Sequence, residues 1–364
     1  MFPITAYSVM TPLGDAAESV RRIRAVDTPD VFSLPEDRYR ECMQALPYTV
    51  PSTLDRTALT ALWLFHDICG RASLSRDEAA AVPIIVANSK GGVRTLVRGL
   101  NAQVPDARFM FDAPFYNVSS ALAEFAGVRA PMLSVQSACA TGMTALISGC
   151  RMFERGYEQV LVIGVESAAI DIIEYGFNAM GVITNERIRP FSSRRSGFSI
   201  AEGGAAVLIS RKGHPLAQVD CWADIHDNTH PIRFDENGVM IGKALRMLDV
   251  KRADVDLISA HATATGNDIP EAKAIHDVFG DVPVTGLKPY LGHMLGASAL
   301  AEIALTIELA RGGYIAHLPF SDPIDEAVPA NILVSPREAH IRRFIKLAYG
   351  FGGSITAASI SVSW

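Results

Sequence analysis

Residues 132–155 read MLSVQSACATGMTALISGCRMFER and combine a short apolar segment, a polar turn and a longer helical pattern. Residues 132–135 have the apolar character of a buried strand. From Met143 to Cys150, apolar residues recur at i, i+3, i+4 and i+7, which is one face of an α-helix, and Gly156 marks its end. We predict a strand at 132–135, followed at once by a helix from about Cys139 to Arg155.

The second half of the chain repeats this order of elements. Residues 255–260 predict a strand and residues 269–279 a helix, and a polar turn at 288–293 precedes a long helix rich in Ala and Leu, over about 294–310. Alternating strands and helices are typical of an α/β protein. Sequence identity between the halves is too low to prove a duplication, so the repeat is a hypothesis drawn from the pattern alone.

The length and composition agree with two packed halves. The chain has 364 residues, whereas a single core stops growing near roughly 250–300 residues. Charged residues make up 20% of it, below the usual share of about 25%, which favours a large core and a subunit interface. We predict halves at 1–210 and 211–364 that pack as one unit. Residues 211–250, rich in His, Asp and Asn, are expected to be an irregular surface excursion.

The charge and cysteine pattern exclude several classes of protein. The net charge of −6, without a basic run, excludes a nucleic-acid-binding footprint. The five cysteines form no CxxC pair, which favours reduced thiols in the cytoplasm. The first residues lack the basic start of a signal peptide, and no apolar run approaches the roughly 18 residues of a membrane span. We expect a cytoplasmic protein.

Cys139 is the strongest candidate for a nucleophile. It follows an apolar strand at the predicted first turn of a helix, where the helix dipole would lower the pKa of the thiol. The alternative is a small buried cysteine, which is the usual structural role. Cys150, three turns further along, is interpreted as such a structural residue.

Two histidines have similar settings. His261 ends a predicted strand, where open α/β sheets place their ligands, and His293 follows Gly292 at a helix start, where a positive charge is disfavoured. A neutral imidazole there can donate a hydrogen bond to a developing anion. Each histidine alone fits a structural role, but with Cys139 they form a plausible catalytic set. His226 and His230 read as loop residues, so no metal site is predicted.

The glycine-rich turn 350–353 lacks the spacing of a dinucleotide fingerprint and better suits an amide N–H that serves an oxyanion. Motifs along most of the chain, this turn included, occur in the same order as those of β-ketoacyl-acyl-carrier-protein synthases. They resemble the elongating Cys/His/His type of this family, which acts in fatty acid and type II polyketide synthesis. The motifs that carry the resemblance are TPLG at 11–14, SACATG at 137–142, RPF at 189–191, GF at 197–198, EG at 202–203, HATAT at 261–265, KPYLGH at 288–293 and YGFGG at 349–353. The resemblance implies a thiolase fold, a five-layered αβαβα arrangement of two similar halves, and a dimer.

The resemblance also implies an acyltransferase mechanism. Cys139 would take an acyl group from the phosphopantetheine thioester of an acyl carrier protein, and no tightly bound cofactor is expected. His261 and His293 would promote decarboxylation of malonyl-carrier protein and stabilise the enolate. The backbone N–H groups of Cys139 and Phe351 would form the oxyanion hole.

Other residues take supporting roles by the same resemblance. Lys288 matches a buried lysine, expected to pair with Glu271 and to order the histidines. Thr263 and Thr265 match hydroxyls that bind the pantetheine arm. Phe198 and Phe351 match side chains that gate the acyl pocket, for which core packing is the alternative.

Departures from the family pattern favour a specialised fatty acid, polyketide or polyene pathway. The chain is short before residue 80 and across 210–255, and Ala262, Ser196 and Ile355 replace other usual residues. A chain-length-factor-like partner with little activity of its own is the alternative, and the partner could be a second copy or such a related subunit. A degradative thiolase is disfavoured, because it needs a second cysteine near the C-terminus and none follows Cys221.

Overall fold

A computed structural model describes residues 1–102 and 107–364. Its strands are β1 (Phe2–Met10), β2 (Ile84–Ala87), β3 (Met132–Val135), β4 (Gln159–Glu166), β5 (Gly203–Ser210), β6 (Ala217–His226), β7 (Leu257–Ser259), β8 (Val284–Thr285), β9 (Tyr314–Ile315), β10 (Arg337–Glu338), β11 (Arg343–Gly350) and β12 (Ser354–Val362). The α-helices are α1 (Ala16–Arg24), α2 (Glu36–Ala45), α3 (Arg56–Arg71), α4 (Arg76–Ala81), α5 (Val93–Leu100), α6 (Phe109–Asp112), α7 (Asn117–Glu124), α8 (Thr141–Glu154), α9 (Asp171–Ala179), α10 (Val239–Met247), α11 (Asp268–Phe279), α12 (Lys288–Leu291) and α13 (Ser298–Arg311).

The strands form a ten-stranded sheet in which one topology occurs twice. Its order is β3-β2-β4-β5-β1-β6-β12-β11-β7-β8. From the central β1–β6 pair outward, each side runs through antiparallel, antiparallel, parallel and parallel pairings. One side uses strands from residues 2–210 and the other strands from residues 217–362. The predicted boundary after residue 210 falls in the connection between β5 and β6.

Helices cover the sheet in layers. α13 packs against β1 and β5 on one side and β11 and β12 on the other, with α8 beside it. Its sequence, SALAEIALTIELAR, is apolar almost all round, as expected of a helix buried between two sheet surfaces. α3 covers the outer face of the first half, and α10 and α11 cover that of the second. The predicted five-layered αβαβα arrangement is therefore confirmed.

Some predicted elements differ from the structure. The strand at 132–135 is present, but the helix after it begins at Thr141 rather than Cys139. The expectation of an irregular excursion over 211–250 is wrong, because that region contains the central strand β6 and the helix α10. The polar residues of β6 misled the prediction. Asp220, for example, is satisfied inside the sheet by Arg343 and by the hydroxyls of Ser359 and Ser361.

No helix in the described part of the chain is both long and apolar enough to cross a membrane.

Candidate active site

One pocket, at the junction of the two halves, brings together most of the predicted site residues. Cys139 comes from the first half, and His261 and His293 from the second. The pocket is also lined by four further residues predicted from sequence, namely Phe198, Thr263, Thr265 and Phe351. Lys288 and Glu271 do not line it and are buried behind it.

The turn that carries Cys139 is held tightly in place. Ala138 has a positive φ of 49°, and the Thr141 hydroxyl accepts from the Ser137 amide (2.9 Å) and donates to the Ala138 carbonyl (2.6 Å). Gly350, at the end of β11, lies so close that a Cβ there would be 2.2 Å from the Ser137 carbonyl oxygen. Only glycine therefore allows the 350–353 turn to bring Phe351 to the pocket.

The Cys139 thiol is buried, with 7% of the residue exposed. Burial raises the pKa of this thiol to about 11, although the positive charges of Lys90 and Lys288 oppose the rise. The predicted lowering of the thiol pKa is therefore wrong for this pocket, because removal of Cys139 from water outweighs the opposing positive charges. At neutral pH the sulfur keeps its proton and needs a nearby base to lose it.

The two histidines lie side by side in the pocket wall. Their ring centroids are 5.6 Å apart with the planes at 82°. The Nδ1 atom of His293 is 2.9 Å from the Ser298 hydroxyl, and Phe198 packs edge-on against the same ring at 4.7 Å. Burial, followed by the charge of Lys288, lowers the pKa of both histidines well below the usual value. Both imidazoles are therefore uncharged at neutral pH.

The support behind the histidines differs from the expected one. Lys288 forms its ion pair with Glu302 (2.8 Å), and its Nζ also donates to the His261 carbonyl. The predicted pairing with Glu271 is therefore wrong. The Glu271 carboxylate instead accepts from the backbone amides of His261 (2.6 Å) and Ala262 (3.0 Å). Glu271 therefore holds the segment that carries His261 directly, and Glu302 acts on it through Lys288.

Glu302 and Lys346 are buried ionic residues that the sequence reasoning missed. The available signal was an acid within the apolar helix α13 and a lysine within the apolar strand β11. Buried charges need partners, so either residue could have indicated an internal ion pair.

The wall of the pocket next to Cys139 is apolar. Phe177 packs against Phe198 at 5.7 Å and against Phe351 at 6.0 Å between ring centroids. Val93, Ile200 and Leu295 belong to the same cluster. An apolar wall of this kind suits a hydrocarbon chain. Phe198 also packs against neighbouring apolar side chains, as a core residue does.

The opposite side of the pocket is polar. The hydroxyls of Thr263 and Thr265 are 3.0 Å apart, and the Thr263 amide donates to Asp268. Residues 230–234 cross this side, a segment that was not predicted to contribute. Among residues 1–102 and 107–364, no group of three or more His, Cys, Asp or Glu side chains could hold a metal ion.

Comparison with known families decides the assignment. Residues 76–214 match the family described as beta-ketoacyl synthase, N-terminal domain, and residues 219–319 match its C-terminal domain. The chain belongs to the β-ketoacyl synthase family.

The curated relatives of this chain are distant. It is 27% identical to "3-oxoacyl-[acyl-carrier-protein] synthase II, chloroplastic" of Arabidopsis thaliana, over 74% of this chain and 55% of the relative. It is 24% identical to "Putative polyketide beta-ketoacyl synthase 1" of Streptomyces halstedii, over 92% of this chain and 85% of that one. The first of these matches covers little more than half of the relative's length.

Solved structures confirm the thiolase fold. "The ishigamide ketosynthase/chain length factor" has a TM-score of 0.90 at 20% identity, covering 100% of this chain and 99% of that one. A ketosynthase (ApeO) in complex with its chain length factor (ApeC) from Xenorhabdus doucetiae has a TM-score of 0.85 at 20% identity, covering 100% and 98%. At these identities the likeness shows the fold alone.

Proposed function

We propose that this β-ketoacyl synthase catalyses the decarboxylative Claisen condensation of an acyl group, held on Cys139, with malonyl-acyl carrier protein. The product is a 3-oxoacyl-acyl carrier protein. The observation that carries the proposal is the placement of a thiol and two uncharged imidazoles in one pocket, with an apolar wall beside the sulfur.

The first half-reaction transfers the acyl group. The sulfur of Cys139 attacks the carbonyl carbon of the carrier thioester while a neutral imidazole takes the thiol proton. The backbone N–H groups of Cys139 and Phe351 stabilise the oxyanion. The carbon–sulfur bond to the pantetheine breaks, and the departing sulfur receives the proton. The acyl chain then lies against the apolar cluster that contains Phe198.

The second half-reaction forms the new carbon–carbon bond. His261 and His293 donate hydrogen bonds to the malonyl thioester oxygen, which is possible because each neutral imidazole keeps one N–H. The carboxylate leaves as carbon dioxide, and the electron pair of the broken bond forms an enolate. The enolate carbon attacks the acyl-Cys139 carbonyl, the bond from that carbon to the Cys139 sulfur breaks, and the thiolate takes a proton from solvent, which is the one proton that the overall condensation consumes. Lys288 and Glu271 position His261 without contacting substrate.

The proposed substrates arrive on the phosphopantetheine arm of a carrier protein, and no tightly bound cofactor is proposed. Thr263 and Thr265, which line the pocket, are proposed to bind the arm through their hydroxyls. Arg233 and Lys273 line the adjoining outer cavity, where their positive charges suit the phosphate of the arm.

The proposed partner in the dimer is a second copy or a related ketosynthase or chain-length-factor subunit. The edge strand β3 has Leu133 51% exposed, and other large apolar side chains are exposed in helices α6 and α9. An exposed apolar surface beside an open sheet edge is typical of an interaction site. The cytoplasm is the proposed location.

Acyl loading tests this function. The protein is incubated with a panel of acyl-carrier proteins, and intact-protein mass spectrometry records any adduct. We expect an acyl adduct on the wild type and none on Cys139→Ala, with circular dichroism showing that the variant is folded. Absence of any adduct, alone or with a related subunit, would favour the chain-length-factor-like role and overturn the proposal.

A further inference from the structure

A second lysine, Lys346, is buried behind the catalytic pocket and is not used in the mechanism above. It lies on β11 in the sequence RFIKLAYG, and 0% of the residue is exposed. Its Nζ donates to the Ala260 carbonyl (3.1 Å) and the Ser259 hydroxyl (3.4 Å) and forms an ion pair with Glu302. An ammonium group is expensive to bury unless it is paired, so this site is built to hold the charge.

Glu302 is shared between two lysines. Its Oε1 atom contacts Lys288 and its Oε2 atom contacts Lys346. Lys288 donates to the carbonyl of His261, whereas Lys346 donates to the carbonyl of the preceding residue, Ala260. One carboxylate therefore links two ammonium groups that hold adjacent carbonyls, directly after β7.

The charges around the histidines come from several elements. His261 faces Glu271 from α11, Lys288 from α12, Lys346 and Tyr349 from β11, and His293. His293 faces Ser298 and Phe198 and lies within the fields of Lys90, Lys288 and Lys346. Lys288 and Lys346 share the single negative charge of Glu302, and the Glu271 carboxylate faces the backbone amides of His261 and Ala262, so the positive charge of Lys346 still acts on both imidazoles.

We propose that Lys346 is a second positioning residue of this site, which fixes the backbone that carries His261 and disfavours protonation of both histidines. The inference deepens the proposed function and rests on it for its kinetic readout. Its direct readout is the ionisation of the histidines in the free protein, which does not depend on activity.

Two substitutions separate the charge of Lys346 from its hydrogen bonds. Lys346→Met removes both, and Lys346→Gln keeps a donor for the Ala260 carbonyl while removing the charge. Lys243→Met, at an exposed position of α10, is the matched control. Signals of isotope-labelled histidines are assigned with His261→Gln and His293→Gln and followed by NMR against pH. We expect protonation at a pH about one unit higher in both Lys346 variants, and no change in the control.

A charge-compensated variant tests the electrostatic part. Lys346→Met/Glu302→Gln removes one positive and one negative charge and is expected to return histidine protonation towards the wild-type pH. The acidic limb of malonyl-carrier decarboxylation should shift in parallel with the NMR titrations. A structural role alone would lower the rate at every pH and leave the limb in place.

Two results separate the positioning role of Lys346 from the proposed condensation. Histidine titrations that are identical in wild type, Lys346→Met and Lys346→Gln overturn the inference. A wild type without decarboxylation, but with shifted titrations in the Lys346 variants, supports the inference and overturns the proposed function.

Discussion

The contact between Gly350 and the Cys139 turn gives a quantitative prediction. A Cβ on Gly350 would lie 2.2 Å from the Ser137 carbonyl oxygen and 3.3 Å from the Ala140 nitrogen. A carbon–oxygen contact needs about 3.3 Å, so Gly350→Ala must push the two segments about 1 Å apart. A displacement of this size at a reacting group costs roughly 10²-fold in rate. The forced contact should also lower the free energy of unfolding by about 1–3 kcal/mol.

The assay measures acyl transfer to Cys139 in single-turnover experiments, together with urea unfolding. Gly70→Ala is the matched control, because a Cβ at that position of α3 meets nothing within 4 Å. The control should keep the wild-type rate and gain about 0.5–1 kcal/mol, as alanine usually does over glycine in a helix. Wild-type rate and stability in Gly350→Ala would refute the claim that this contact sets the geometry of the nucleophile.

The buried charges, the thiol and the sheet edge can each be tested by one further experiment. Glu302→Gln leaves two buried lysines without their shared carboxylate and should lower the free energy of unfolding in urea by about 3–5 kcal/mol; a loss below about 1 kcal/mol contradicts the ion-pair cluster. Burial raises the pKa of Cys139 to about 11, and only the thiolate reacts with iodoacetamide. The rate of Cys139 alkylation should therefore be low at pH 7 and rise through pH 9 and 10. A rate that reaches its plateau by pH 8 would contradict the structure. Leu133→Arg on β3 should lower the sedimentation coefficient towards that of a monomer, whereas Val239→Arg at an exposed position of α10 should not change it. Equal sedimentation coefficients for the two variants would count against the proposed dimer surface.

The sequence was most informative where local pattern and chemistry coincide. The 132–155 segment could be interpreted because the apolar strand, the polar turn and the helical spacing lie within one short stretch. His261 and His293 were identifiable because each follows a predicted strand or precedes a predicted helix. The structure places both of them with Cys139 in one pocket.

Contacts between residues far apart in the chain could not be predicted from the sequence. Glu302 and Lys346 are 44 positions apart, and their pairing depends on how α13 crosses β11. The resemblance implies Glu271 as the partner of Lys288, whereas the fold places Glu302 of α13 against this lysine. β6 was missed because its aspartates are typical of surface residues, although Arg343, Ser359 and Ser361 of neighbouring strands supply the partners of Asp220. The pKa of Cys139 depends on burial by both halves, which the helix-start argument did not include.

The most direct test of the central claim is the condensation product itself. Wild type and Cys139→Ala are incubated with an acyl-carrier protein and malonyl-carrier protein, with and without a related subunit, and the carrier-bound products are measured by mass spectrometry. The proposed mechanism predicts a 3-oxoacyl-carrier protein two carbons longer with the wild type and none with Cys139→Ala. Full condensation by the variant would contradict it.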